Sequence, residues 1–286
     1  MNTKIIYHNI KPDFPCPDGI SAAWVAAKVY SDAELIGWQY QSEELPAVEN
    51  FDRLIIVDFS FPKEVLQQWS DMECPIVVID HHKTAQKMLE GFAGGILKFD
   101  MSKCGAVLTW ELFFPNQPIP VFLEYVQDQD LWQWKLPHSE AVREAFAVLW
   151  RSFELFDQLE PMNQQEFLDY MVPIGQPRLD EKRKKVEAIA LRHEWQILAG
   201  YSIPVVALVS GEERYRSDVC AWLYKEYPEA PFSASYRIEN GVEHWDLRSD
   251  KDGNNFDVSA IATQFNGGGH HNAAGFSRKV EEDFPW

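Results

Sequence analysis

Three short apolar runs, residues 4–8, 53–59 and 75–80, punctuate the first 130 residues. Each is rich in β-branched residues, and unbroken rather than alternating hydrophobicity predicts strands buried on both faces. Between them the period changes. Ile20, Ala23, Trp24, Ala27 and Tyr30 recur on one helical stripe, and a second helix is expected from Ser60, a good N-cap, with Pro62 just inside its first turn. Strand–helix alternation of this kind predicts an α/β fold with a mostly parallel sheet flanked by helices. From Ser139 the pattern turns helical through SEAVREAFAVLW and NQQEFLDYMV. The charged stretch 178–195 carries Val186, Ile189 and Ala190 at helical spacing and reads as a connector that packs on either neighbour. A second α/β unit starts near Tyr201, with a helix over 217–227 and strands around 232–238 and 244–248. The expected organisation is an N-terminal domain over 1–150, a helical connector over 151–198 and a smaller C-terminal α/β domain over 199–286.

Composition narrows the partners. The chain has 286 residues, 46% apolar and 24% charged, enough to build sizeable cores and too apolar to be disordered. Its formal net charge of −18 argues against tight, sequence-independent binding of long duplex nucleic acid, because such a surface repels a phosphate backbone. A short phosphorylated ligand held by a local cation remains compatible. The apolar runs are far too short to span a bilayer, and the opening MNTKIIYHNIKPD lacks the continuous apolar core of a secretion signal, so no membrane partner is expected. Cys16, Cys74, Cys104 and Cys220 show no C-x-x-C spacing, which fits reduced thiols and a cytoplasmic location.

The chemistry gathers at strand ends. His8 closes the first predicted strand, Asp58 follows the second, and Asp80, His81 and His82 close the third. In an open parallel sheet the carboxyl ends of the strands line one crevice where ligands bind. Carboxylates crowded there cannot all stay ionised without a cation among them. Imidazole plus carboxylate suits divalent transition ions, Mn²⁺ foremost, with Zn²⁺, Co²⁺ and Fe²⁺ as alternatives. Two ions bridged by one carboxylate, about 3.5–4 Å apart, form a clamp for in-line displacement at phosphorus. A single Asp after a buried strand is usually a helix cap or turn residue. An Asp-His-His triplet, with another strand ending in Asp about two dozen residues earlier, is hard to explain that way.

VIDHH, ending at His82, resembles the signature of the DHH superfamily of phosphoesterases. GGGHHNAAGF at 267–276 resembles the GGGH-x-x-AAG pattern of the DHH-associated domain, as do LRSD at 247–250 and DVSAIA at 257–262. The two signatures bracket most of the chain in the family's order. The resemblance implies roles: His8 as ligand of a first metal ion, Asp18 of a second, Asp58 bridging both, and His81 on the second ion. It implies that His82 faces the scissile phosphate or its leaving group, with Asp80 buttressing the histidines. In YVQDQDLWQW it implies a final metal ligand, for which Asp128 is the choice and Asp130 the rival. The opening segment departs from the family's H-x-x-x-D-x-D. Cys16 stands two residues before Asp18, and the gap back to His8 is longer. Either Cys16 replaces the missing aspartate, favouring Zn²⁺ or Fe²⁺, or the loop brings Asp13 to the ion; the first is preferred.

In the C-terminal signature, Gly267, Gly268 and Gly269 let backbone N–H groups approach an anion, and His270 and Arg248 then grip a phosphate or base edge. His271 and Asn272 lie within reach of the same ligand, and Ala273 and Ala274 suit a helix start. The implied activity is metal-dependent hydrolysis of a phosphoester in a short substrate: a linear dinucleotide, nano-RNA or small nucleotide. Exopolyphosphate hydrolysis and nucleotide binding without catalysis are the rivals, and a homodimer is compatible. Trp24 and Trp110 read as core. Trp132 and Trp134 flank the expected metal site and are open to a base-stacking role. His138, His193 and His244 lie outside any motif and are expected at the surface.

Overall fold

The computed structural model describes residues 2–11, 14–40, 44–48, 51–72, 75–149 and 152–280; Asp13, Cys74 and Trp150 lie outside them. Two compact units divide the chain between Leu179 and Asp180.

The first unit runs β1 (Thr3–Lys11), β2 (Phe14–Pro15), α1 (Pro17–Val29), β3 (Glu34–Trp38), β4 (Arg53–Val57), α2 (Lys63–Ser70), β5 (Ile76–Asp80), α3 (Lys83–Met88) and β6 (Ile96–Phe99). Helices α4 (Gly105–Phe113), α5 (Val121–Asp130), α6 (Ser139–Leu149), α7 (Phe153–Leu159) and α8 (Gln164–Ala190) follow, the last running on into the second unit. Strands β3, β1, β4, β5 and β6 lie side by side and parallel, and β2 folds back antiparallel on the end of β1.

The unbroken apolar runs are explained by this sheet having two covered faces. Ile5, Ile55, Val57 and Ile79 share a core with Trp24 of α1, Trp110 of α4 and Phe122 of α5. Their alternates Ile6, Leu54, Ile56 and Val78 share another with Leu66 and Trp69 of α2. Each such side chain, fully buried, is worth about 1.5–3 kcal/mol. Trp24, as expected, is core, and its indole N–H donates to Asp157 at 2.9 Å.

Ser60 does not cap α2. Pro62 holds that position, and Ser60 Oγ donates instead to Asp80 Oδ2 at 2.6 Å. Helix α8 continues through Pro173 and Pro177, so residues 178–190 of the charged stretch are the end of one helix rather than a separate element.

The second unit contains the end of α8, β7 (Glu194–Leu198), β8 (Tyr201–Ala207), α9 (Arg216–Glu226), β9 (Ser233–Glu239), β10 (Val242–Arg248), α10 (Val258–Gln264), β11 (Gly268–His270) and β12 (Ala273–Lys279). Its sheet has the order β11-β12-β10-β9-β8-β7, antiparallel except for the β8–β9 pair. Ala273 and Ala274 open a strand and not a helix, because β12 pairs with β10 along its whole length. His193 and His244 are half-buried rather than free at the surface: His193 Nδ1 lies 3.0 Å from the Ala190 carbonyl, and His244 Nδ1 lies 3.0 Å from Ser277 Oγ. No helix among the described residues is long and apolar enough to cross a membrane.

Candidate metal centre

Register places the strand-end residues together. Tyr7 pairs with Val57, and Val57 with Ile79, so the next residue on each strand, His8, Asp58 and Asp80, falls on one sheet edge. Asp58 turns off its strand in the left-handed region, at φ 52°, while its N–H still donates to the Ile79 carbonyl at 2.9 Å. Such a conformation costs a non-glycine residue of order 1–3 kcal/mol and points to a functional constraint.

Helix α1 brings Cys16, its N-cap, and Asp18, in its first turn, up to the same edge. Asp18 is itself clamped by α4: its two carboxylate oxygens accept from the N–H groups of Gly105 at 2.6 Å and Ala106 at 2.7 Å. These are unpaired donors at the positive end of a helix, a suitable seat for a carboxylate. Only glycine fits at 105, since a Cβ there would stand 2.8 Å from Asp58 Cβ and 3.0 Å from Asp18 Oδ2.

Three triads have ligand atoms within 4.8 Å of one another: His8–Cys16–Asp58, Asp58–His81–His82 and Asp18–His81–Asp130. The imidazole of His81 stands among carboxylates, with Nε2 3.2 Å from Asp58 Oδ1, 3.5 Å from Asp130 Oδ2 and 3.6 Å from Asp18 Oδ2. On the other side of Asp58, Oδ2 lies 3.4 Å from His8 Nδ1.

The electrostatics reflect crowding. Burial, then the charges of Asp58 and Asp130, push the Asp18 carboxyl well up. Burial and Asp58 raise the Asp130 carboxyl to about 6. Cys16 is likewise pushed well up, by burial first and then by Asp58 and Asp18. Asp58 goes the other way: burial opposes its ionisation, but the neighbouring imidazoles of His8 and His81 outweigh that and hold it well below the usual range. His81 answers in kind. Its burial disfavours the charged ring, yet Asp58, Asp18 and Asp130 raise it to about 9.

Asp58 Oδ2 is buried and makes no hydrogen bond among the described residues, His8 Nδ1 standing off at 3.4 Å. A buried carboxylate oxygen in that state needs a partner, and a cation supplies one. Imidazole, carboxylate and one thiol around that oxygen are a donor set that fits a divalent transition ion.

No family model matches the chain. It is 31% identical over 240 residues to the uncharacterized protein R106 of Acanthamoeba polyphaga mimivirus, covering 83% of this chain and 56% of that one. It is 24% identical over 257 residues to the oligoribonuclease NrnB of Bacillus subtilis, covering 84% and 62%. The chain thus spans less than two thirds of the length of either relative. Among solved structures, the DHH domain of a member of the s1p family of ribosomal proteins is similar at a TM-score of 0.57 and 14% identity, covering 97% of this chain and 82% of that one. The chain has the DHH-superfamily fold. A pGpG-specific phosphodiesterase, PggH of Vibrio cholerae, shares it at a TM-score of 0.56 and 14% identity, over 99% of this chain and 95% of that one. RecJ of Thermus thermophilus, solved with Mn²⁺, does so at 0.50 and 12% identity, over 97% and 49%.

In the DHH triplet, Asp80 is fully buried and spends both oxygens on neighbours. Oδ1 accepts from the His81 N–H at 2.7 Å and lies 2.7 Å from His82 Nδ1, and Oδ2 takes the Ser60 hydroxyl. That pairing fixes the His82 ring, raises its pKa through the Asp80 hydrogen bond, and turns Nε2 away from Asp80. Asp80 therefore buttresses and does not join the triads.

The structure separates the two acids of α5. Asp128 is buried and accepts from the N–H groups of Lys135 at 2.8 Å and Leu136 at 3.4 Å, closing the loop after the helix. Asp130, and not Asp128, lies with Asp18 and His81 in one of the triads. Helix phase puts residues two apart on nearly opposite sides but does not say which of them faces the site. The clamp from Gly105 and Ala106 left no hint in the sequence.

The C-terminal signature residues sit in the second unit. Gly268, Gly269 and His270 are exposed on the edge strand β11. A Cβ at Gly267 would meet the Gly275 carbonyl at 2.2 Å, and one at Gly269, whose φ is 145°, would meet Ala274 at 2.6 Å; only Gly268 has open space. Two of the three glycines thus serve close strand packing. The Arg248 guanidinium donates to the Leu247 carbonyl at 2.8 Å and to Ser217 Oγ at 3.1 Å. His271 and Asn272, in the turn between β11 and β12, bond to Asn255 and Ser249 of the loop after β10.

Proposed function

We propose that this protein is a divalent-metal-dependent phosphoesterase that hydrolyses a phosphodiester bond in a short, single-stranded nucleotide such as a linear dinucleotide. The observation that carries this reading is buried Asp58, which belongs to two of the three triads and whose Oδ2 makes no hydrogen bond among the described residues. His8, Cys16 and Asp58 would hold one ion and Asp18, His81 and Asp130 a second, with Asp58 close to both. Mn²⁺ is the first ion to test, given the RecJ structure, and the Cys16 thiol adds Zn²⁺ or Fe²⁺. When bound, such ions supply Lewis acidity and bring the ionisation of water near neutral pH.

The chain's own residues do the rest. His82, oriented through Nδ1 by Asp80, presents Nε2 to the phosphate, and its raised pKa suits it to donate a proton to the departing oxygen. Gly105 and Ala106 keep Asp18 in place without using it for proton transfer. Arg248, Gly268 and His270 form the anion-binding candidate of the second unit. The names of two similar proteins, an oligoribonuclease and a pGpG-specific phosphodiesterase, support short substrates, and so does the net charge of −18. The test is release of mononucleotide from a linear dinucleotide with Mn²⁺ present. Turnover should vanish on chelation and in Asp58→Ala; turnover that survives Asp58→Ala refutes the reading.

A further inference from the structure

A run of aromatic rings climbs from the core to the rim of the metal centre. Trp69 meets Phe61 at a centroid distance of 4.9 Å, Phe61 meets Phe59 at 4.9 Å, and Phe59 meets Tyr40 at 4.3 Å with planes only 34° apart. Exposure along the run is 5%, 3% and 2%, and then 50% at Tyr40. The last ring is held in place. Besides packing on Phe59, the ring meets His8 at 5.3 Å and His82 at 5.9 Å, in both cases edge to face.

Beside the ring, the Ser60 hydroxyl fixes Asp80 and through it His82. A half-exposed aromatic ring, backed by a buried one and standing beside the histidine that would face phosphate, is preorganised to take a flat, apolar-faced group attached to that phosphate. Trp132 and Trp134 are differently engaged: they pack on each other at 5.0 Å, and the Arg143 guanidinium lies 5.7 Å and 5.5 Å from their rings.

We infer that Tyr40 is a specificity-determining residue that stacks on the nucleobase of the nucleotide whose phosphate lies at His82. Stacking is tolerant of base identity, so the platform selects nucleotides over phosphorylated compounds without a ring system and does not read sequence. This deepens the phosphoesterase reading and rests on it for the position of the phosphate.

The experiment is equilibrium titration of the Mn²⁺-loaded protein with AMP and with ribose 5-phosphate, which differ only by the base. AMP should bind about 10- to 100-fold more tightly than ribose 5-phosphate. Tyr40→Leu should erase that preference by weakening AMP alone, and Tyr40→Phe should recover most of it. Equal affinities in the unmodified protein, or a Tyr40→Leu protein that weakens both ligands alike, overturn the inference. If Tyr40→Leu does not fold, Tyr40→Trp carries the test: a wider preference for AMP supports the platform, and an unchanged or narrower one refutes it. The titration reads binding without turnover. A protein that prefers AMP through Tyr40 yet cleaves no dinucleotide would refute the phosphoesterase reading and leave the platform standing.

Discussion

The two signature segments, equally conspicuous in the sequence, are physically unlike. At the strand ends of the first unit Asp58 and Asp80 are buried, Asp58 crowds against the carboxylates of Asp18 and Asp130, and its Oδ2 makes no hydrogen bond among the described residues. The glycine-rich segment of the second unit is exposed at Gly268 and His270, while its neighbours His271, Asn272 and Arg248 are hydrogen-bonded within their own unit. The first has the charge and the donor set that a cation would suit. The second is complete as it stands and offers a surface. A motif therefore says where chemistry is concentrated, and burial decides whether the protein needs a ligand there or merely accepts one.

The sharpest way to break that comparison is metal-linked stability. Mn²⁺ at 100 times its Kd should stabilise the protein by about 2.7 kcal/mol, read as a rise in the thermal midpoint that chelation reverses. Asp58→Ala should abolish the rise, and Arg248→Ala should leave it intact. A rise lost equally in both variants would mean that the two regions do not differ as described.

Next in size is a pH effect on the chelated protein. The folded-state pKa of His81 is raised to about 9, above an ordinary value of 6.5, so its ion pairs contribute stability fully below about pH 6.5. That contribution is lost as pH rises through 9. The metal-free thermal midpoint should fall between pH 7 and 9.5, and His81→Gln should flatten the fall. Asp130, raised to about 6, adds a loss of the same sign between pH 4 and 6.

Asp80→Asn tests the buttress. Without its carboxylate the His82 ring loses both its orientation and its raised pKa, so kcat should drop about 10- to 100-fold while Mn²⁺ stoichiometry holds. The smallest effects belong to the second unit. Gly268→Ala should change stability by no more than about 0.5 kcal/mol, as at an unconstrained surface position. Gly269→Ala, at φ 145° against Ala274, should cost about 1–3 kcal/mol by chemical denaturation.

Much of this was legible because it is local. Unbroken apolar runs show doubly covered strands, and parallel strands must end on one edge, so His8, Asp58 and His81 could be brought together from the text alone. What could not be read depends on contacts distant in sequence. Ser60 looks like a helix cap, and nothing nearby shows that its hydroxyl serves Asp80, 20 residues away. Asp128 and Asp130 look interchangeable until the amides of Lys135 and Leu136 claim one of them. Gly105 is an ordinary small residue until the helix it opens is seen resting against Asp18, 87 positions earlier. The glycine triplet differs in another way: its spacing suggests an anion cradle, whereas close strand packing explains two of its three members.

The pairing of Tyr7 with Val57 and of Val57 with Ile79 ties accuracy at the rim to accuracy in the interior. A slip of one rung by the second of these strands would move Asp58 by about 3.3 Å and turn Leu54 and Ile56 toward the wrong layer of helices. No misthreaded chain could keep the ligands while losing the core. Cation uptake by this protein is for that reason a readout of correct assembly, and a refolding trial could be scored by it before any substrate is known.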